Sequence, residues 1–328
     1  SVQINLKKEI LTEVLKRLGR LKEIPPLTTA PSTQSYGYRA RAQLKVKGET
    51  MGFFQERSHR IANIDHCPIS HPLINQIISS LQKELPFFPR IEEIEVNVSP
   101  EEGKGILILH PLSSHQGMNH LVQDLLKTHP ILRGIAVVRG NGFTFFGDPF
   151  LSFAISSNRF GERRNLSLRT SPQSFYQVNL EQNHTLIQTV LEFSDVNEDE
   201  KVLDLYAGIG NFTLPLAIAS KEVWGIEENR WAVQDATLNA ERNGVKNCTF
   251  IHGRVEDILR YWTKEKPDLV ILDPPRMGCK VVFERIIKLQ PKKMVYVSCE
   301  PTTFSRDLRL FSEAGYVIRR LSLVDMFP

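Results

Sequence analysis

Cysteine is scarce in this sequence. The four cysteines among 328 residues, Cys67, Cys248, Cys279 and Cys299, follow no regular spacing. Such a pattern argues against a disulfide framework and favours a reducing, cytoplasmic setting.

Long apolar runs are also missing. No stretch approaches the run of about 20 apolar residues that a membrane-spanning helix needs, and no secretory signal is visible. We therefore expect no membrane partner, and we expect a monomer. Because the chain begins with Ser1 rather than methionine, we also expect that its N-terminus has been trimmed.

Positive charge is concentrated in two segments. The net charge of +4 permits a polyanionic partner without requiring one. Residues 36–60 carry a net charge of +4, and residues 156–170 carry +3 through Arg159, Arg163, Arg164 and Arg169 against Glu162. Patches of this kind are typical of phosphate contacts.

The first half of the chain predicts a small α+β domain. An amphipathic pattern predicts a helix over 4–19, with Ile10, Val14 and Leu18 at a spacing of four and Leu11 and Leu15 beside them, and a connector follows over 24–34. Residues 39–47 alternate between apolar and basic, which predicts a strand with a basic outer face. We expect an N-terminal helix and linker over 1–35 and an α+β RNA-binding domain over 36–160.

The second half, 161–328, predicts a doubly wound α/β domain. Repeated strand–helix units favour a mostly parallel sheet. The predicted strands cover 202–206, 223–226, 248–252, 268–272, 294–298 and 316–323.

A glycine turn follows the first of these strands. Gly208 and Gly210 would let the backbone turn tightly against a ligand, and Glu227 ends the next strand, where a carboxylate can accept from ribose hydroxyls. The pattern favours an adenosine site. A dinucleotide fingerprint would place a third glycine at Thr213, and no triphosphate-binding loop is present, so S-adenosylmethionine fits better.

Two further loops follow later strands. Asp273 opens an Asp-Pro-Pro-Arg loop stiffened by its prolines. Cys299 follows the strand over 294–298, whereas Cys248 lies within a predicted strand. A thiolate that adds to carbon 6 of uracil makes carbon 5 able to accept a methyl group, after which a base removes the carbon 5 proton and the cysteine is expelled.

Taken together, four segments resemble the bacterial RNA 5-methyluridine methyltransferase family. They are Ser-Phe-Tyr-Gln-Val-Asn at 174–179, the glycine turn at 204–212, Asp-Pro-Pro-Arg at 273–276 and Ser-Cys-Glu-Pro at 298–301. The resemblance implies uridine methylation at carbon 5 and a Rossmann-like S-adenosylmethionine-dependent methyltransferase domain. It implies a nucleophile at Cys299 and cofactor contacts at Gln177, Tyr206, Gly208, Asn211, Glu227 and Asp273, with Asp273 also within reach of the base. It implies RNA contacts at Arg39 and Arg41.

This sequence departs from the family pattern in three ways. The family's general base is a Glu that follows an Asp-x-Phe-Pro sequence, so we expect it just past Pro328. Many members carry an N-terminal β-barrel RNA-binding domain, which is not seen here. Cys67, in a His-Cys-Pro context, resembles the fourth ligand of a [4Fe-4S] cluster, and the other three cysteines would lie just upstream of Ser1. That cysteine favours the branch that acts on 23S ribosomal RNA over the transfer-RNA branch.

Other hypotheses remain open. The chain could be an amino-group methyltransferase that does not use Cys299, or a non-catalytic RNA-binding module that retains a cofactor fold.

Overall fold

The computed structural model describes residues 2–21, 23–112, 118–140, 142–159 and 162–328, with backbone alone at 157–159 and 162–163. The sequence also predicts a hairpin over 134–146 that turns at Gly140-Asn141-Gly142. Asn141 and the side chains of Arg159 and Arg163 in the second basic segment lie outside the described residues. Within the described part, no helix has the length and apolar character that a membrane crossing requires.

The chain opens with a helix and a short strand, followed by a seven-stranded sheet in the order β4-β3-β2-β5-β6-β7-β8. The opening elements are α1 (Val2–Arg17) and β1 (Leu27–Ala30). The sheet strands are β2 (Arg41–Lys47), β3 (Thr50–Phe54), β4 (Ile61–Asn63), β5 (Ile91–Ser99), β6 (Lys104–Pro111), β7 (Leu132–Arg139) and β8 (Gly142–Gly147). The apolar side of β2, with Ala42 and Leu44 buried, packs in one core with helices α2 (Pro72–Glu84) and α3 (Met118–Thr128).

An antiparallel hairpin, β9 (Leu151–Arg159) and β10 (Glu162–Thr170), leads to helix α4 (Leu180–Ser194). Sequence patterns did not predict this hairpin. Its paired strands lie on both sides of the predicted boundary at 160, and the division into three parts stays a prediction.

The second half forms a five-stranded parallel sheet in the order β13-β12-β11-β14-β15, which confirms the predicted doubly wound fold. Its strands are β11 (Lys201–Leu205), β12 (Glu222–Glu227), β13 (Cys248–His252), β14 (Leu269–Leu272) and β15 (Lys293–Tyr296). The accompanying helices are α5 (Thr213–Ala217), α6 (Arg230–Arg242), α7 (Val255–Arg260), α8 (Phe283–Leu289) and α9 (Pro301–Glu313). Its central strands are buried on both faces, as a parallel sheet between helical layers requires.

The last predicted strand was placed wrongly. Residues 316–320 are irregular, and the shorter β16 (Leu321–Val324) pairs in parallel with β1 instead of extending the five-stranded sheet. Residues 27–30 of the predicted connector are thus a strand. The N-terminal segment therefore packs against the C-terminal half of the chain.

Only part of the apolar stripe predicted on α1 is buried. Ile10 and Leu18 are 59% and 49% exposed, whereas Leu11 and Leu15 are buried in a cluster with residues of α9 and β16. The helical period was right, and the packing partner, which local sequence does not encode, decides which residues of the stripe are buried.

We expect Leu15→Ala to lower the free energy of unfolding by about 2–5 kcal/mol, because the side chain is fully buried between α1 and α9. Ile10→Ala, on the exposed side of the same helix, should change it by less than about 0.5 kcal/mol. Urea unfolding of both variants checks this. Equal losses would show that α1 is docked in another orientation.

Candidate active site

A glycine turn leads from the carboxyl end of β11 into α5. Its backbone is left-handed at Tyr206 (φ 68°), Gly208 (φ 54°) and Gly210 (φ 91°). The amides of Tyr206 and Ala207 both donate to the carbonyl of Ile226 on β12. A side chain at 210 would overlap Leu214, while the space over Gly208 is open, so a ligand can approach the backbone closely there.

Glu227, at the end of β12, holds this turn. One carboxylate oxygen accepts from the Gly208 amide at 3.0 Å, and the other accepts from the Asn229 amide at 2.8 Å. A carboxylate has about four acceptor positions, so Glu227 keeps capacity for further hydroxyl donors. Asn229 in turn caps the N-terminus of α6.

Asp204, within β11, is a buried carboxylate beneath the turn. The hydroxyl of Thr213 donates to its Oδ2 at 2.6 Å, and its Oδ1 has no partner in the described part of the chain. Burial, reinforced by the neighbouring charges of Asp273 and Glu227, raises the pKa of Asp204 to about 7. Thr213 stands where a dinucleotide fingerprint would place its third glycine, and here it serves as the hydrogen-bond partner of Asp204.

The segment 174–179 lies against the turn from the other side. Tyr176 is buried, stacks on Phe153 at 4.6 Å between ring centroids and donates to the carbonyl of Ala40. Phe175 is 61% exposed. Tyr176 therefore anchors the segment, while Phe175 and Gln177 line the pocket.

The amide of Asn211 forms a reciprocal pair with Asn183 of α4, at 2.8 and 3.0 Å. Sequence reasoning missed Asn183, because its partner lies 28 residues away and no local pattern links the two.

These segments enclose one pocket at the carboxyl ends of β11 and β14. Five of the six residues predicted to contact the cofactor line it: Gln177, Tyr206, Gly208, Asn211 and Asp273. The sixth, Glu227, joins it through the Gly208 amide. From β11 the following strands are added towards the β13 edge of the sheet, and from β14 the next strand is added towards the opposite edge. Such a switch point is where open α/β sheets bind ligands.

Asp273 and Cys299 follow neighbouring strands at this edge. The Val297 amide donates to the Leu272 carbonyl at 2.7 Å, which aligns the two strand ends. Asp273 is half-buried at the pocket, and its desolvation raises its pKa to about 7. Cys299 faces solvent and, in the described structure, is not part of the pocket lining itself.

The four cysteines, all in the described part, differ in environment. Cys299 is exposed, whereas Cys67 and Cys279 are buried and Cys248 is half-buried. Burial raises the pKa of Cys248 to about 11, and burial together with the charge of Asp307 raises that of Cys279 to about 12. The backbone of Cys67 is held by the side chain of Asn75, far along the chain from the pocket segments.

The basic strand β2 is largely neutralised by its neighbour β5. Arg41 pairs with the buried Glu95, with its Nε 3.1 Å from the carboxylate, and Lys45 pairs with the buried Glu93. Sequence alternation predicted the basic face correctly. It could not predict the carboxylates opposite, because strand pairing brings them there.

Arg39 and the second basic segment are also held by the protein. The backbone of Arg39 bridges Ser70 and Asn179, and its Nε is buried with no partner in the described residues. Arg164 donates to the Asn243 carbonyl, and Arg169 stacks on Phe150 at 3.4 Å from the ring centroid.

A glycine turn, a carboxylate on the next strand and a pocket at the switch point are the features of an α/β fold of the methyltransferase type. The family model for tRNA (uracil-5-)-methyltransferases matches residues 159–328. The chain is 35% identical over 316 residues to a 23S rRNA (uracil(1939)-C(5))-methyltransferase RlmD of Salmonella typhi, covering 90% of this chain and 68% of that protein. It is 32% identical to an uncharacterised RNA methyltransferase of Oceanobacillus iheyensis, and the match covers 100% of this chain and 76% of that protein.

Among solved structures, the Pyrococcus abyssi tRNA (uracil-54, C5)-methyltransferase in complex with S-adenosyl-L-homocysteine matches with a TM-score of 0.74 and 25% identity, over 98% of this chain and 79% of that one. The chain belongs to the tRNA (uracil-5-)-methyltransferase family, a family of RNA methyltransferases.

The raised pKa of Asp204 predicts a pH-dependent stability difference. Its pKa rises from 3.8 to about 7 on folding. The stability that the neutral carboxyl contributes is therefore fully present below the lower value and is lost as the pH rises through the upper one. Asp204→Asn cannot ionise, so its stability relative to the unsubstituted protein should increase by about 1–3 kcal/mol between about pH 5 and 8.

Urea unfolding at the two pH values measures this difference. Asp199→Asn, at an exposed position in the loop before β11, is the matched control and should show no such change. A constant difference for Asp204→Asn would mean that the buried carboxyl keeps its ordinary pKa.

Proposed function

We propose that this protein uses S-adenosylmethionine to methylate carbon 5 of a uridine in RNA through a covalent bond between Cys299 and the base. The observation that carries this proposal is the exposed position of Cys299 in the loop that follows β15. The neighbouring strand β14 leads to Asp273, which lines the pocket. Family membership supports the reaction type.

The pocket residues fit S-adenosylmethionine. The open space over Gly208 accommodates a ligand against the turn, and Glu227 can accept from the ribose hydroxyls. Gln177, Tyr206 and Asn211 would hold the rest of the cofactor from the pocket walls. When bound, the cofactor supplies a methyl group on a sulfonium.

The chain's own groups divide the reaction into two steps. The Cys299 thiolate adds to carbon 6 of uracil, and the electron pair displaced to carbon 5 takes the methyl group as its bond to the sulfonium breaks, which leaves S-adenosylhomocysteine. Loss of the carbon 5 proton to a base then breaks the sulfur–carbon 6 bond and restores the ring. Asp273, with a pKa of about 7, can carry a proton at neutral pH and donate it in a hydrogen bond to a uracil oxygen.

The family resemblance predicts that base just after the segment that ends at Pro328. In the structure this segment is held in place, since Lys7 donates to the buried Asp325 at 2.6 Å and Asn179 donates to the Met326 carbonyl. It therefore lies beside the segment 174–179.

The target uridine must leave its stack for a thiol to reach the face of its ring, which costs a few kcal/mol and less in a loop. We therefore infer a structured RNA whose target lies in a loop or bulge. The 35% identity to the Salmonella typhi enzyme supports 23S ribosomal RNA, and transfer RNA is the alternative. Arg39 and Arg41 stay predicted RNA contacts, although Arg41 would have to exchange its bond with Glu95 for a phosphate.

Cys67 stays a prediction as a cluster ligand. Among the described residues, the one group of three or more ligand-type side chains close enough to share a metal is Glu93, Glu95 and His110, and it does not contain Cys67. The residues described around Cys67 do not by themselves supply a four-thiolate site, so no step depends on a cluster. A cytoplasmic monomer likewise stays the expectation from sequence.

We expect Cys299→Ala to abolish methyl transfer to RNA, because no other described cysteine is exposed at this edge of the sheet. Transfer of labelled methyl from S-adenosylmethionine into total RNA of a strain lacking the gene measures it. Cys248→Ala is the matched control and should retain the rate. Full activity of Cys299→Ala would instead favour an amino-group methyltransferase.

We expect Glu227→Ala to weaken S-adenosylhomocysteine binding by about 10- to 100-fold, since it removes a charged acceptor and releases the Gly208 amide. Calorimetric titration checks this. Glu228→Ala, at the exposed neighbouring position, should leave the affinity unchanged. Equal affinities for both variants would place the adenosine elsewhere.

Removal of the gene should leave one uridine of 23S ribosomal RNA without its 5-methyl group. Mass spectrometry of fragments from total RNA locates that uridine. A loss confined to transfer RNA would contradict the ribosomal assignment and leave the chemistry intact.

A further inference from the structure

A buried carboxylate lies behind the two reactive loops. Asp307, on α9, has no exposed surface. Its Oδ2 accepts from the Cys279 amide and from the Tyr296 hydroxyl, both at 2.7 Å, and its Oδ1 accepts from Arg306 at 2.8 Å. Burial raises the pKa of Tyr296, so its phenol keeps the proton that it donates.

These partners connect three parts of the active site. Cys279 follows the Asp-Pro-Pro-Arg loop, and Tyr296 is the last residue of β15, three residues before Cys299. Helix α9 begins at Pro301, two residues after Cys299. One carboxylate therefore joins the Asp273 loop, the strand that leads to the thiol and the helix that follows the thiol.

Two other α9 side chains hold the same loop. Thr303 donates to the Arg276 carbonyl at 2.9 Å, and Arg306 donates to the Met277 carbonyl at 2.7 Å. Together with Asp307, they contact three backbone groups between positions 276 and 279. This part of the loop cannot shift along α9 without breaking several hydrogen bonds at once.

Steric crowding fixes the loop as well. Gly278 has a left-handed backbone (φ 77°), and a side chain there would overlap the Asp307 carboxylate and Arg306. The loop backbone therefore packs directly against the Asp307 carboxylate. None of these residues lines the pocket, so their effect on a substrate is indirect.

We propose that Asp307 is a positioning residue that sets the separation between the Cys299 thiol and the Asp273 carboxyl group. The inference rests on the proposed function. Its physical basis is that a thiol and a hydrogen-bonding group must meet the same uracil ring, and small misplacements of reacting groups reduce rates steeply.

The test is the rate at which the intact protein, saturated with S-adenosylmethionine, forms a covalent complex with substrate RNA that carries 5-fluorouridine. The thiol adds to carbon 6 and the methyl joins carbon 5. Because fluorine cannot leave as the proton does, the sulfur–carbon bond persists. In Asp307→Asn, a carboxamide of equal size offers one acceptor oxygen where the native residue offers two.

We expect Asp307→Asn to slow formation of this complex by about 10- to 100-fold, with binding of S-adenosylhomocysteine unchanged. Where Asp307→Asn does not fold, Thr303→Val tests the same attachment of the loop to α9. It removes, at a partly exposed position, the hydroxyl that donates to the Arg276 carbonyl and more weakly, at 3.3 Å, to the Glu300 carbonyl. Thr302→Val is its matched control, since that hydroxyl reaches the Glu300 side chain and not the loop.

Loss of rate in Asp307→Asn or Thr303→Val, with ligand affinity and the rate of Thr302→Val retained, supports the proposal. An unchanged rate, or equal losses of rate and ligand affinity, overturns it. If the unsubstituted protein forms no covalent complex, the proposed function itself fails, so the two failures are distinguishable.

Discussion

The site depends on the parallel alignment of β11, β14 and β15, whose carboxyl ends meet at one edge of the sheet. This alignment brings together segments that lie almost 100 residues apart: the glycine turn at 206–210, the Asp273 loop and Cys299. Strand pairing fixes the backbone positions, and the bond from the Val297 amide to the Leu272 carbonyl extends the pairing past the end of β15. The candidate reactive residues therefore lie in short loops, which have few alternative conformations.

Differences in burial distinguish the ionisable groups at this edge of the sheet. Protein surrounds Asp204 and Asp273 closely enough to raise the pKa of each to about 7, while the same desolvation, with the charge of Asp307, raises the pKa of the Cys279 thiol to about 12. Cys299 differs because it is exposed. Among the cysteines, all of which lie in the described residues, Cys299 is therefore the exposed one at this edge.

Sequence predicted what is encoded locally. The glycine turn, the carboxylate at the end of β12 and the two loops after β14 and β15 are each contiguous, so their pattern indicated a common edge. Contacts between segments that are distant in the sequence were not predictable. They include the hydrogen bonds between Asn183 and Asn211, the ion pair of Arg41 with Glu95 and the parallel pairing of β1 with β16. Which residues of the α1 stripe are buried was not predictable for the same reason, since the helical period was visible but the packing partner was not.

The central claim is that the thiol of Cys299 bonds to the uracil ring. The most direct measurement is peptide mapping by mass spectrometry, after digestion of the covalent complex formed with 5-fluorouridine RNA and S-adenosylmethionine. We predict that a methylated fluorouridine nucleotide is attached to the peptide that contains Cys299. Attachment to Cys67, Cys248 or Cys279, or methylated product with no attachment to any cysteine, would contradict the account.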